Sequence, residues 1–143
     1  MTAGTRQDTR VLLVTEDPFF IEEARAVLEG AGARVISCLG PAHTACNLYA
    51  RGSCPLAQRS SMALVDSPAG GDFRYHATAI SSGEYAEDLQ RSHPGTQVLL
   101  CGAAIGSAGP TGEVTTTEDR QQALFVLTRL LRSRRERSEQ VPT

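Results

Sequence analysis

The feature that most constrains this chain is a set of short runs that are apolar at every position, set between segments of helical periodicity. "RVLLV" (10–14), "MALV" (62–65) and "TQVLLC" (96–101) each contain such a run of four consecutive apolar residues, at 11–14, 62–65 and 98–101. A strand with one wet face alternates, so a run that is apolar throughout belongs to a strand covered on both faces. "ARVISC" (33–38) is a fourth strand candidate and "EVTTT" (113–117) a weak fifth. Between the first two, Asp17-Pro18 reads as a helix N-cap with proline at the first helical position. Phe20, Ile21, Ala24, Val27, Leu28 and Ala31 then recur at helical spacing, and "GAG" (30–32) ends the helix. Strands alternating with helices predict an α/β domain with a doubly wound, parallel, five-stranded sheet and right-handed crossovers.

The other segments are read from local signals. "PAHTACNLYARG" suggests a short helix from Pro41 that ends before Gly52, and "SCPLAQRSS" leads into the third strand without regular structure. Residues 67–82, rich in Pro, Gly, Ser and Thr, read as a long loop. "GEYAEDLQRSHPG" fits a helix that stops before Pro94. "GAAIGSAGPTG" (102–112) has too much Gly for a stable helix. Thr115 and Glu118 have capping-box spacing, with Thr116 as a substitute, ahead of a helix carrying Ala123, Leu124, Leu127, Leu130 and Leu131 on one face. His76 and His93 read as surface loop residues. Residues 1–9 form a tail, 10–132 the domain, and 133–143 a charged end.

In a parallel sheet, functional groups gather at the carboxyl ends of the strands. Here those ends carry Glu16 and Asp17, Cys38, Asp66, Cys101 and the run 115–117. With this acidic pair after the first strand and an aspartate after the third, the sequence resembles the receiver domains of bacterial two-component response regulators. The likeness covers about residues 10–132, and it implies a flavodoxin-like or receiver-like fold. It also implies that Glu16, Asp17 and Asp66 hold Mg²⁺, which takes oxygen ligands, and that Asp66 accepts a phosphoryl group.

Several of the family's parts are absent. Its Thr or Ser switch position is Cys101 here, and a thiol is a weak hydrogen-bond donor. Its fifth-strand Lys has no counterpart, because all 14 basic residues are Arg. The run "EVTTTEDR" has no aromatic switch residue, and the Gly-rich 102–112 replaces the fourth helix, which is thereby degraded. The resemblance is therefore to an atypical, degenerate receiver: a pseudo-receiver for signal transduction, working without phosphorylation. A phosphorylatable single-domain regulator using Asp66 with Mg²⁺ is the alternative, and a place in a phosphorelay would follow from it. Each acid also has an ordinary structural role: Asp17 as a cap, Glu16 as a solvated charge at a helix start, Asp66 as a turn starter.

A second constellation is Cys38, His43, Cys46 and Cys54, in the order C-x4-H-x2-C-x7-C. Thiolates and imidazole suit Zn²⁺ or an Fe–S cluster, which would make a metal or redox sensor. The spacing lacks C-x2-C knuckles, and cysteine is also a common core residue. Cys101 lies too far across the sheet to join them.

With 143 residues, one domain can build a core. A net charge of −2 gives no overall attraction to nucleic acid, and the arginines at 129, 132, 134, 135 and 137 are interrupted by Glu136 and Glu139. No apolar run approaches a membrane span, and the first residues lack a signal-peptide core. The expectation is a cytoplasmic chain without a membrane segment, whose cysteines are thiols or ligands. No P-loop, dinucleotide fingerprint or nucleophile elbow occurs, and no nucleophile and base stand at related positions, so no enzyme is expected. No DNA-binding domain is expected after the last helix. Output is expected through a protein partner at the 102–125 face, with a homodimer as a further possibility.

Overall fold

The structure is a computed structural model and describes residues 9–41, 46–68, 70–102 and 114–140. Its elements are β1 (Thr9–Val14), α1 (Pro18–Gly30), β2 (Ala33–Cys38), α2 (Asn47–Arg51), α3 (Pro55–Gln58) and β3 (Met62–Asp66). They continue as β4 (Asp72–Tyr75), β5 (Thr78–Ser81), α4 (Ser82–Ser92), β6 (Gln97–Cys101), β7 (Thr115–Thr117) and α5 (Arg120–Gln140). Five strands form one parallel sheet in the order β2-β1-β3-β6-β7. The wholly apolar runs occupy its three inner positions, where both faces are covered.

Successive residues of those runs feed opposite cores. Val11, Leu13, Met62, Leu64, Leu99 and Cys101 point to the side where α1 supplies Phe20, Ala24 and Leu28 and α5 supplies Ala123, Leu124, Leu127 and Leu131. Leu12, Val14, Ala63, Val65, Val98 and Leu100 point to the other side, against Tyr85, Ala86 and Leu89 of α4. A five-stranded sheet between two helical layers is the doubly wound fold expected from the strand and helix alternation.

The loop expected over 67–82 is a correction. It contains an antiparallel hairpin, β4-β5, outside the main sheet. Its strands are only four residues long, so their alternation is brief, yet the paired residues Phe73 and Ile80 are both buried. Phe73 lies against Gly40, where a Cβ would stand 3.0 Å from the ring and where φ is +96°. The hairpin thus leans on the loop after β2 at a position that favours glycine twice over.

Other local expectations shift. The helix expected from Pro41 begins at Asn47 and ends, as expected, at Gly52, which has φ +84°. α3 was not expected, and its Pro55 stands at the first helical position. The cap of α5 is Asp119 rather than Thr115 or Thr116: its Oδ1 accepts the Gln122 N–H at 2.8 Å, while Gln122 Oε1 accepts the Glu118 N–H at 2.9 Å. The helix continues through 133–140. The Gly-rich segment read as a degraded fourth helix lies, over 103–113, outside the described residues. Among the described residues no helix is long and apolar enough to cross a membrane.

His93 is also corrected: it is buried, not a surface loop residue, whereas His76 is exposed at the hairpin turn with φ +58°. His93 Nε2 accepts the Cys54 N–H at 2.9 Å. Nearby, Gln90 donates to the Thr96 carbonyl at 2.7 Å and accepts the Val98 N–H at 3.0 Å. Thr96 Oγ1 donates to the carbonyls of Ala57 and Ser60. These bonds join α3 to the α4–β6 turn.

The His93 bond requires a neutral, accepting nitrogen, and burial lowers the pKa of this imidazole from its usual 6.5. On acidification the unfolded chain therefore binds a proton that the folded chain refuses. Stability is full above pH 6.5 and falls as the pH drops toward the folded-state pKa. Thermal melts from pH 7.5 to pH 5 should show this fall in the wild type and a shallower one in His93→Gln. Identical slopes would refute the assignment.

Candidate functional site

The site grows out of strand register. Val14 pairs with Val65, so the next residues, Thr15 and Asp66, emerge side by side at the carboxyl end of the sheet. Asp66 pairs with Cys101, and Cys101 with Thr117. Asp66 is only 5% exposed. A carboxylate at that depth is costly unless donors and a counter-charge meet it. Thr15 Oγ1 donates to Asp66 Oδ2 at 2.7 Å and itself accepts the Asp17 N–H at 3.1 Å. The Cys101 thiol lies 3.6 Å from Oδ1 as a weak donor.

The counter-charge is Arg120, the first residue of α5. Its Nη2 donates to Asp66 Oδ2 at 2.8 Å and its Nε to Oδ1 at 3.2 Å, a side-on fork across one carboxylate. Its Nη1 reaches Asp17 Oδ2 at 2.8 Å. The guanidinium lies 4.6 Å over the ring of buried Phe20, which supplies a cation–π shelf. Asp17 divides its oxygens, because Oδ1 caps α1 by accepting the Phe19 N–H at 2.9 Å. The helix cap and the site residue are one side chain.

The electrostatics agree with this geometry. The Arg120 hydrogen bond holds the Asp17 carboxyl below its ordinary range. The bond to Asp66, then that to Asp17, raises Arg120 further above an already high value against its partial desolvation. Burial, reinforced by the Asp66 charge, pushes the Cys101 thiol up to about 12, so at neutral pH it remains S–H and donates.

The predicted residues separate as follows. Asp17 and Asp66 come together, and Cys101 joins Asp66. Glu16 is exposed in the same turn. Of the three carboxylates that the receiver resemblance assigns to Mg²⁺, Asp17 and Asp66 have a guanidinium lying between them, so these two side chains as arranged do not fit a metal ion there. Among the described residues no three His, Cys, Asp or Glu side chains are placed to hold one.

Cys38, Cys46 and Cys54 all pack at the edge of the same apolar cluster as free, partly buried thiols, and His43 lies outside the described residues. Burial raises the Cys46 pKa above its ordinary value. Thr15 and Arg120 were missed by sequence reasoning. Thr15 could have been placed by register, and Arg120 by its spacing, since 120, 124, 127 and 131 fall on one helical face.

A cleft opens beside Asp66, lined by Ser67, Gly102, Arg120 and Gln121 and flanked by the carboxylates of Glu23, Glu118 and Asp119. Its mouth is acidic, while its floor holds the ion-paired aspartate.

The Arg120–Asp66 pair is half open to solvent on the arginine side, with side-chain exposures of 40% and 6%. A double-mutant cycle with Arg120→Gln and Asp66→Asn should return a coupling of about 1–2 kcal/mol, between surface and fully buried pairs. Arg120→Lys should recover only part of it, because an ammonium cannot fork across the carboxylate. A coupling near zero by chemical denaturation would remove the pair from the account.

No protein-family profile matches the sequence, and the curated proteins contain no match. Solved structures do match. A response regulator receiver domain protein (CheY-like) from Methanospirillum hungatei superposes with a TM-score of 0.56 at 14% identity, over 92% of this chain and 99% of that one. A receiver domain protein from Clostridium thermocellum gives 0.54 at 11% identity, over 90% and 97%. A Burkholderia thailandensis protein named for pilus assembly (cpaE) gives 0.54 at 20% identity, over 87% and 98%. At such identities the likeness establishes the fold: this chain has the five-stranded parallel architecture of CheY-like receiver domains.

Proposed function

We propose that this chain is a receiver-like signalling and interaction module, not an enzyme, whose output does not require phosphorylation of Asp66. The observation that carries this reading is the guanidinium of Arg120 between Asp66 and Asp17. A carboxylate that attacks phosphorus needs an oxygen lone pair free and a cation able to follow charge onto the transferred group. Oδ2 of Asp66 accepts from Thr15 and Arg120 and Oδ1 accepts from Arg120, and their cation is the first residue of a helix and is supported on Phe20. The carboxylates of Glu23, Glu118 and Asp119 around the cleft would also repel an anionic phosphodonor.

The receiver fold supports a role in signalling through protein contacts. The pilus-assembly name borne by one structural neighbour, over 98% of that chain, fits a module that works by binding other proteins.

The test is intact-mass analysis after incubation with acetyl phosphate and Mg²⁺, with Asp66→Asn alongside. The wild type should gain no phosphate adduct over times that fully label a receiver of known activity. One adduct that disappears in Asp66→Asn would overturn the proposal in favour of a phosphorylatable regulator.

A further inference from the structure

The outer face formed by α1 and α5 has an unusual surface for a helical layer. Phe19 is 80% exposed, Phe125 62% and Val27 41%. The Gln121–Glu23 hydrogen bond, 3.0 Å, fixes the relative height of the two helices. Both follow strands of one parallel sheet and so run in the same direction. One turn further along each, Val27 and Phe125 lie level with one another. They form the apolar centre of the face, and Phe19 extends it toward the carboxyl end of the sheet.

Charge is distributed unequally about that centre. Toward the carboxyl end stand the exposed acids Glu22, Glu23, Glu118 and Asp119, with exposed Arg25 on the same side of Val27. Toward the other end stand exposed Arg129 and Arg132, with Glu29 the one acid among them. Arg129 lies against the Phe125 ring, 5.8 Å from its centroid. Glu23 precedes Val27 by four residues and Arg129 follows Phe125 by four, so opposite charges sit at equal distances from the apolar centre.

A face with an apolar middle, one acidic end and one basic end is complementary to itself when turned end for end. A two-fold axis makes this turn, and two-fold contacts use the same patch twice. We propose that the α1/α5 face pairs two copies of this chain, antiparallel across a two-fold axis near Val27 and Phe125. The acidic end of each copy then meets the basic end of the other. Like-charge repulsion disfavours the parallel arrangement, so the charges set the register as well as the attraction. Nothing in this depends on the chemical state of Asp66, so the pairing and the proposed function succeed or fail separately.

The face is small. A helix of 13 residues is about 20 Å long, and packed helices lie about 10 Å apart, so each copy contributes several hundred Å² at most. An interface below about 1,200 Å² in total is weak. The association should therefore show as a reversible monomer–dimer equilibrium with a dissociation constant on the order of 10–100 µM that weakens as salt is added.

Sedimentation equilibrium over a concentration series in low salt tests this on the whole chain. The wild type should dimerise, and Phe125→Asp, at an exposed position, should weaken dimerisation at least tenfold while retaining the wild-type circular dichroism spectrum. Arg129→Glu with Arg132→Glu should do the same, and adding Glu22→Arg and Glu23→Arg to that pair should restore the dimer. A wild type that stays monomeric at several times that concentration overturns the proposal. A dimer indifferent to Phe125→Asp, or charge reversals that do not compensate, also overturns it.

Discussion

The structure depends on one ionised aspartate held where water barely reaches. Asp66 ends the central strand of a sheet covered on both sides, and its carboxylate must be met by charge and hydrogen bonds from the protein itself. Arg120 meets it with the fork that guanidinium offers and ammonium does not. In the same gesture the arginine reaches Asp17, so one side chain links the ends of β1 and β3 to the first turn of α5. The pairing leaves one net negative charge among the three groups, and the acids around the cleft add to it. The oxygens of Asp66 and Asp17 all accept hydrogen bonds within this arrangement.

How much of this was legible in the sequence follows from the range over which each signal acts. The strands were legible because burial on both faces leaves an unbroken apolar run, and the three such runs are the three inner strands. Asp17-Pro18 was legible because capping and proline act within two residues of the chain. The β4-β5 hairpin was not, because Phe73 and Ile80 declare themselves only when paired with each other and set against Tyr85 and Gly40.

The partnerships of the site were hidden by distance along the chain. Arg120 stands 54 residues from Asp66 and 103 from Asp17, and nothing local marks it as their cation. Its position at the head of the apolar stripe 124, 127, 131 was the available sign, since a charge on the buried face of a helix must find an opposite charge. His93 posed the same problem in a neutral form: beside Pro94 it reads as loop, and only the Cys54 N–H, 39 residues away, accounts for its burial.

The same tether bears on how such a module can change state. A ligand shifts a conformational equilibrium only through a difference in affinity between two states. In this chain the cation at Asp66 is the first residue of α5, stacked on Phe20 of α1, so the clasp joins the first turns of the two helices. Phe19 and Glu23 stand on the outer side of that α1 turn, and Glu23 is bonded to Gln121, the residue after Arg120. The outer ends of α1 and α5 are thus joined to the surroundings of Asp66 by the Arg120–Phe20 stacking and the Gln121–Glu23 bond.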